Sequence, residues 1–178
     1  PAKVFGDGII SVGRFSPSKN LEVIIDAMKI LKSRGVNSPM VIMGVPGTKK
    51  EKEYAERIVS RAKNADVSVD AAMPNRSLPA PLQKRMIFLN ASSTGSMDKA
   101  VLEAASVGLI PISSNLAFKD MLEPLGLYVE KGTPEAFAVK VEEVLKSSDK
   151  LTLGGKLREC RRVDADVARR SATAAVAA

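Results

Sequence analysis

Six short apolar runs recur along this chain, at Gly8–Val12, Met40–Met43, Val67–Val69, Met86–Leu89, Leu109–Ile112 and Leu127–Val129. Most are separated by segments in which apolar residues return every three or four positions. Strands that alternate with helices in this way predict a parallel sheet with helices on both faces, joined by right-handed crossovers.

The helical segments carry their own punctuation. Leu21, Ile24, Ile25, Met28 and Leu31 line one face of a helix that ends in a basic turn and Gly35. A charged helix from about Lys49 to Lys63 is expected to bury Tyr54, Ile58 and Ala62. A third, over about Ser96–Val107, is expected to turn Leu102, Ala105 and Met97 inward. Leu116–Glu123 reads as a further helix, and one or two helical turns are expected within Leu78–Lys84. Thr133, Pro134 and Glu135 open another helix with an N-cap, a proline at the first position and a first-turn acid, and Phe137, Val141, Val144 and Leu145 follow. A last helix is expected from about Lys156, with Leu157, Cys160, Val163 and Val167 as its seam beside five arginines between Arg158 and Arg170. The small residues of 171–178 read as a frayed tail. The fold class is therefore α/β, a Rossmann-like three-layer domain over residues 1–170 with a parallel sheet of about six strands. Pro111 costs the fifth run one ladder bond.

If the strand order is 3-2-1-4-5-6, the first and fourth strands are neighbours at the point where the order reverses, and ligands bind there, at the carboxyl ends of the strands. The segments leaving those two strands are Gly13–Asn20 and Asn90–Ser96. Gly13 allows a sharp turn or a close approach. Arg14 can fork onto phosphate oxygens, and Lys19 supplies a compact charge five residues later. Thr94, Gly95, Ser96 and Met97 lie where a helix begins and its amides lack intrahelical partners, a natural anion site. Glu103, inside that helix, can accept two hydroxyl donors and suits a ribose diol. No Gly-x-Gly-x-x-Gly opens the first helix and no Walker A sequence is present.

Composition removes several alternatives. There is no histidine, so neither a Ser-His-Asp triad nor a His-ligated metal site can be built from this chain. Net charge is +7, which favours an anionic partner, but aromatics are only 4%, too few to serve as a stacking surface for nucleic acid. No membrane span and no secretory leader are read in the sequence, and the single Cys160 cannot form an internal disulfide. The expected compartment is the cytoplasm. The arginines of the last helix could meet anionic lipid, pack on another domain, or form a solvated face.

Three stretches together, Ile10-Ser-Val-Gly-Arg-Phe-Ser-Pro-Ser-Lys-Asn20, Val41-Ile-Met-Gly44 and Asn90-Ala-Ser-Ser-Thr-Gly-Ser-Met-Asp-Lys-Ala-Val-Leu-Glu-Ala-Ala-Ser-Val-Gly108, resemble the C-terminal half of retaining glycosyltransferases of the GT-B type. The resemblance covers about Gly8 to Leu145. It implies a donor domain for a nucleoside diphosphate sugar, UDP- or GDP-linked, with no cofactor and no obligatory metal. Arg14 and Lys19 would neutralise the diphosphate, and Glu103 would be the second acid of the Glu-x7-Glu motif, on the ribose. Two departures stand out: Gly95 occupies the place of the first acid, for which Thr94, Ser96 or Asp98 would have to substitute, and Asn20 that of a common glycine. The family's acceptor-binding N-terminal half is expected to be a separate partner of this segment, which on this reading binds donor without efficient turnover. Two further readings fit the same residues: a nucleotide-sugar epimerase-like domain, and a non-catalytic scaffold that kept the fold.

Overall fold

The structure, a computed structural model, describes residues 8–71, 82 and 84–147. Five parallel strands, β1 (Ile9–Val12), β2 (Met40–Gly44), β3 (Val67–Ala71), β4 (Ile87–Asn90) and β5 (Ile110–Ser113), form one sheet in the order β3-β2-β1-β4-β5. The register sets Ile9 against both Met40 and Ile87, Met40 against Val67, and Ile87 against Ile110. β2, β4 and β5 are buried along their whole length and β1 is buried apart from the half-buried Val12, as unbroken apolar runs require. β3 lies at an edge, and its exposed Ser68 and Asp70 suit that place.

The expected order of strands is found, with β1 and β4 side by side. The sixth strand is reduced to one parallel bridge, Ser113 to Tyr128, in which Ser113 N–H donates to the Leu127 carbonyl at 3.3 Å and Val129 N–H to the Ser113 carbonyl at 2.9 Å. Pro111 explains why so little forms there. Ile110 N–H points to β4, donating to the Met86 carbonyl at 2.8 Å, so the position after it turns its nitrogen to the outer edge, where proline has nothing to donate.

Helices α1 (Leu21–Ser33) and α2 (Lys49–Lys63) connect β1 to β2 and β2 to β3, and α3 (Lys99–Ser106) connects β4 to β5. The strand order reverses direction between these two sets, so right-handed crossovers put α1 and α2 on one face and α3 on the other. α4 (Lys119–Leu122) is a single turn between two 3-10 turns at Leu116–Phe118 and Glu123–Leu125, where one continuous helix was expected. Pro124 accounts for the later break, since it has no amide for a helical bond. α5 (Pro134–Lys146) packs Phe137, Ala138, Val141 and Val144 toward the core beside α1, with Arg34 paired to Glu142 at 3.3 Å. All five residues expected on the inner face of α1 are buried, as are Tyr54, Ile58 and Ala62 of α2.

α3 differs from expectation. It starts at Lys99, not near Ser96, and buries Val101, Ala104 and Ala105, while Leu102 is half-buried and Met97 is 58% exposed. The Ser96 carbonyl is taken by the Asn115 side chain at 2.9 Å, and Gly95 sits at φ +66°, so residues 95–97 do not enter the helix. The expected turns in 78–84, the helix from Lys156 with its Cys160 seam and arginines, and the tail at 171–178 fall outside the described residues, apart from Leu82, which is buried, and Lys84.

One close approach holds the ends of β1 and β2 together. A Cβ on Gly44 would lie 2.2 Å from the Gly13 carbonyl oxygen and 3.2 Å from the ring of the buried Phe15. The ladder continues past the strands, with Gly13 N–H donating to Met43 at 3.0 Å and Phe15 N–H to Val45 at 3.2 Å. Gly44→Ala is therefore expected to lower stability by about 1–3 kcal/mol through forced displacement of the backbone, a loss that chemical denaturation would measure.

Candidate functional site

The β1–α1 loop leaves its strand through Gly13 and is anchored by Phe15, then forms a 3-10 turn at Pro17–Lys19. Asn20 ends it in the left-handed region, at φ 47° and ψ 44°. Asparagine is among the few non-glycine residues that adopt this conformation readily. Here it is also used, because its Nδ2 donates to the Ala91 carbonyl at 3.0 Å.

Beyond Asn20, α1 begins under a tyrosine. The Leu21 amide donates to the Tyr54 hydroxyl at 3.0 Å, and that hydroxyl donates to Glu22. Burial, then the neighbouring carboxylate, raises the Tyr54 pKa far above its ordinary range, so it stays a neutral donor.

The β4–α3 loop meets the first loop at three points. Asn20 holds Ala91, Ser93 N–H donates to the Ser18 carbonyl at 2.9 Å, and the Lys19 ammonium is paired with Asp98. The two segments leaving the switch point thus converge, and Gly13 lies beside the Lys19 stem, its would-be Cβ 3.6 Å from Cε. Arg14 leans the other way, over Gly47, with Nη1 3.8 Å from Glu51 Oε1. Glu51 is mainly engaged elsewhere: its Oε2 accepts from the amides of Gly47 at 2.6 Å and Thr48 at 3.0 Å in a capping box. With 67% of its side chain exposed, the Arg14 guanidinium is accessible.

Under the loop runs a buried polar network. Asn90 Nδ2 donates to Asp98 at 3.1 Å and Ser113 Oγ donates to Asn90 Oδ1 at 2.9 Å. Asn115 N–H donates to Ser113 Oγ at 3.0 Å, and Asn115 Nδ2 returns to the Ser96 carbonyl. On the loop itself Ser92, Thr94 and Ser96 hydroxyls stand in a row at 3.1 and 3.0 Å. Among the described residues the backbone N–H groups of 94–98 have no hydrogen-bond acceptor. The Glu103 carboxylate likewise has no partner there, and the residue is half-buried. Asn90, Ser113 and Asn115 were not read as site residues. Their signal was present, since polar side chains at the carboxyl ends of two otherwise apolar strands have no packing reason to be there.

With respect to other groups, no cluster of His, Cys, Asp or Glu among the described residues is arranged to hold a metal ion. No helix among them is long and apolar enough to cross a membrane.

The sequence profile described as glycosyl transferases group 1 matches residues 7–159. The chain belongs to that family. No curated protein matches it. Among solved structures it is similar to the catalytic domain of a cholesterol-α-glucosyltransferase from Helicobacter pylori, with TM-score 0.73 and 20% identity, covering 87% of this chain and 97% of that one. It is similar also to the C-terminal domain of a glycosyl transferase group 1 family protein from Francisella tularensis, with TM-score 0.74, 16% identity, and 90% and 87% covered. An Anabaena protein in complex with UDP and glucose gives TM-score 0.74 at 12% identity, with 94% of this chain and 48% of that chain covered. The chain thus spans nearly all of two single-domain structures and about half of a longer one. These likenesses establish the fold: a GT-B type α/β domain, Rossmann-like.

The left-handed Gly95 has open space around it, since a Cβ there would meet nothing within 4 Å. Gly95→Ala should therefore lose about 1 kcal/mol from backbone conformation alone, and Gly95→Asn should lose less. Urea denaturation of the two variants beside wild type checks this.

Proposed function

We propose that this domain binds a nucleoside diphosphate sugar, UDP- or GDP-linked, and is the donor half of a transferase that passes the sugar to an acceptor. The observation that carries the reading is the tying together of the Gly13–Asn20 and 90–98 loops at the switch point, with the amides of 94–98 left without acceptors. An anion there would satisfy these loop N–H groups, which stand just before α3 and have no other acceptor among the described residues.

In this reading Arg14 meets the diphosphate through its exposed guanidinium, and Lys19 adds charge from the loop wall. Thr94, Gly95, Ser96 and Met97 present their amides, and Gly13 lets the ligand lie close to the backbone. Glu103 accepts the ribose hydroxyls with its uncommitted carboxylate. The bond that breaks is anomeric carbon to phosphate oxygen. The electron pair stays on the departing diphosphate, where donors fixed in place stabilise the growing charge. The presence of UDP in the Anabaena structure, and of UDP with GlcNAc in a pneumococcal O-GlcNAc transferase of TM-score 0.64, supports this class of ligand.

One observation favours a non-catalytic binding domain instead: both cations of the loop already face acids, Lys19 with Asp98 and Arg14 with Glu51. Calorimetry separates the readings. UDP, GDP and ADP are titrated into wild type, Arg14→Ala and Glu103→Ala. One diphosphate should bind, Arg14→Ala should weaken it about 10-fold by loss of a charge-assisted hydrogen bond, and inorganic pyrophosphate should weaken in parallel. Glu103→Ala should weaken the nucleotide by about as much and leave pyrophosphate unchanged. No binding by wild type, or binding indifferent to both substitutions, would favour the scaffold.

A further inference from the structure

Asp98 sits at the N-cap of α3, with extended φ −82° and ψ 111°, yet its side chain makes no capping hydrogen bond. An aspartate in that position ordinarily accepts from an amide of the first turn, and such a cap stabilises the helix. Here the carboxylate turns away from its own helix. It pairs with Lys19, 79 positions earlier, and accepts from Asn90 Nδ2. Both partners of the ion pair are largely enclosed, Lys19 at 20% and Asp98 at 12% exposure.

The consequence is double. The first-turn amides of α3 are left without a side-chain cap, and the loop before them is held at two points: at Ser96 by Asn115, and at Asp98 by Lys19 and Asn90. Lys19 keeps two of its three N–H donors for another acceptor. We propose that Asp98 is a positioning residue for the diphosphate: by holding Lys19 and the 94–98 loop in place it builds the anion site although it is itself an acid. This rests on the donor-site reading.

The proposal and simple electrostatics predict opposite signs. A carboxylate beside an anion repels it, so charge alone says that removing Asp98 tightens diphosphate binding. Positioning says that removal loosens it, because Lys19 and the loop lose their fixed places.

The experiment is calorimetric titration of the full chain with UDP and GDP, and with uridine and guanosine as the nucleosides that lack phosphate. The variants are Asp98→Ala, Asp98→Asn, Lys19→Met and the Lys19→Met/Asp98→Ala double variant. Asp98→Ala is expected to weaken the bound diphosphate at least 10-fold and its nucleoside less than 2-fold. Asp98→Asn, which keeps the shape and the Asn90 contact, should recover part of the loss, and it supplies the test if the alanine variant does not fold. In the Lys19→Met background Asp98→Ala should add less than 2-fold, because the two residues act as a unit.

Tighter or unchanged diphosphate binding in Asp98→Ala and Asp98→Asn overturns the proposal. So does equal weakening of diphosphate and nucleoside, which a general loss of structure would give. Either of those results, with wild type binding UDP or GDP and Arg14→Ala weakening it, leaves the donor site standing. Failure of wild type to bind any diphosphate removes the donor reading and this proposal with it.

Discussion

The pairing of β1 with β4 is the constraint from which the site follows. Ile9 and Ile10 of β1 lie against Ile87 and Phe88, and on its other side β1 pairs along its whole length with Met40–Met43 of β2. A chain that runs outward from β1 to β3 and then restarts at β4 on the opposite side must place its crossovers on opposite faces. The chains leaving β1 and β4 therefore head for opposite faces, and before they part their loops are tied together by Asn20 to Ala91, Ser93 to Ser18 and Lys19 to Asp98. Most of the buried polar side chains of the described residues gather near these loops: Asn90, Ser92, Ser113 and Asn115. Elsewhere the buried set is almost wholly apolar, with Glu51 in its capping box and Ser11 as the other members.

Those interior groups are affordable because they are satisfied. None of the buried side-chain nitrogens and oxygens of the described residues lacks a partner. A buried amide or hydroxyl left alone costs about 1–3 kcal/mol, so each of Asn90, Ser113 and Asn115 depends on the next in a chain of bonds that ends on Asp98. The electrostatics follow the same logic. Lys19 and Asp98 nearly cancel, and the exposed Arg14 lies 3.8 Å from the buried Glu51, whose Oε2 is already engaged by two amides. A contact that long is worth about 0–1 kcal/mol, less than a charge-assisted bond to a phosphate. Under the proposed donor-site reading, anion affinity rests on the loop amides and the exposed Arg14 guanidinium more than on net charge.

What could be read from the sequence is local or periodic. The inner face of α1, the span of α2 from Lys49 to Lys63, and the entry to α5 at Thr133, whose hydroxyl accepts from the Ala136 amide at 3.3 Å, all follow from spacing and cap residues a few positions apart. The common doubly wound order, 3-2-1-4-5, is the one the sheet adopts, and the meeting of the β1 and β4 exit loops follows from that order. The start of α3 did not, because the residue that diverts it, Asn115, is 19 positions from Ser96 and belongs to another strand's exit. The Lys19–Asp98 pair is of the same kind. Each residue was noticed for a different reason, one as phosphate charge and the other as a stand-in for a missing acid, and no periodicity joins positions 79 apart. The sixth strand failed for a third reason: Leu127–Val129 has strand character, but its neighbour presents Pro111 to that edge.

The glycine at 95 shows how backbone and chemistry separate in this loop. Its φ of +66° disfavours a Cβ, while the space around it would accept one. Packing therefore does not choose glycine there, and the turn of the backbone does. The turn sends the chain toward Ser96, whose carbonyl faces Asn115, and from there to Asp98, whose carboxylate faces Lys19. An acidic side chain at 95 would have to bear the strain of the left-handed conformation, roughly 1–2 kcal/mol, with no contact at its Cβ to offset it, so glycine at this position answers to the backbone and not to packing.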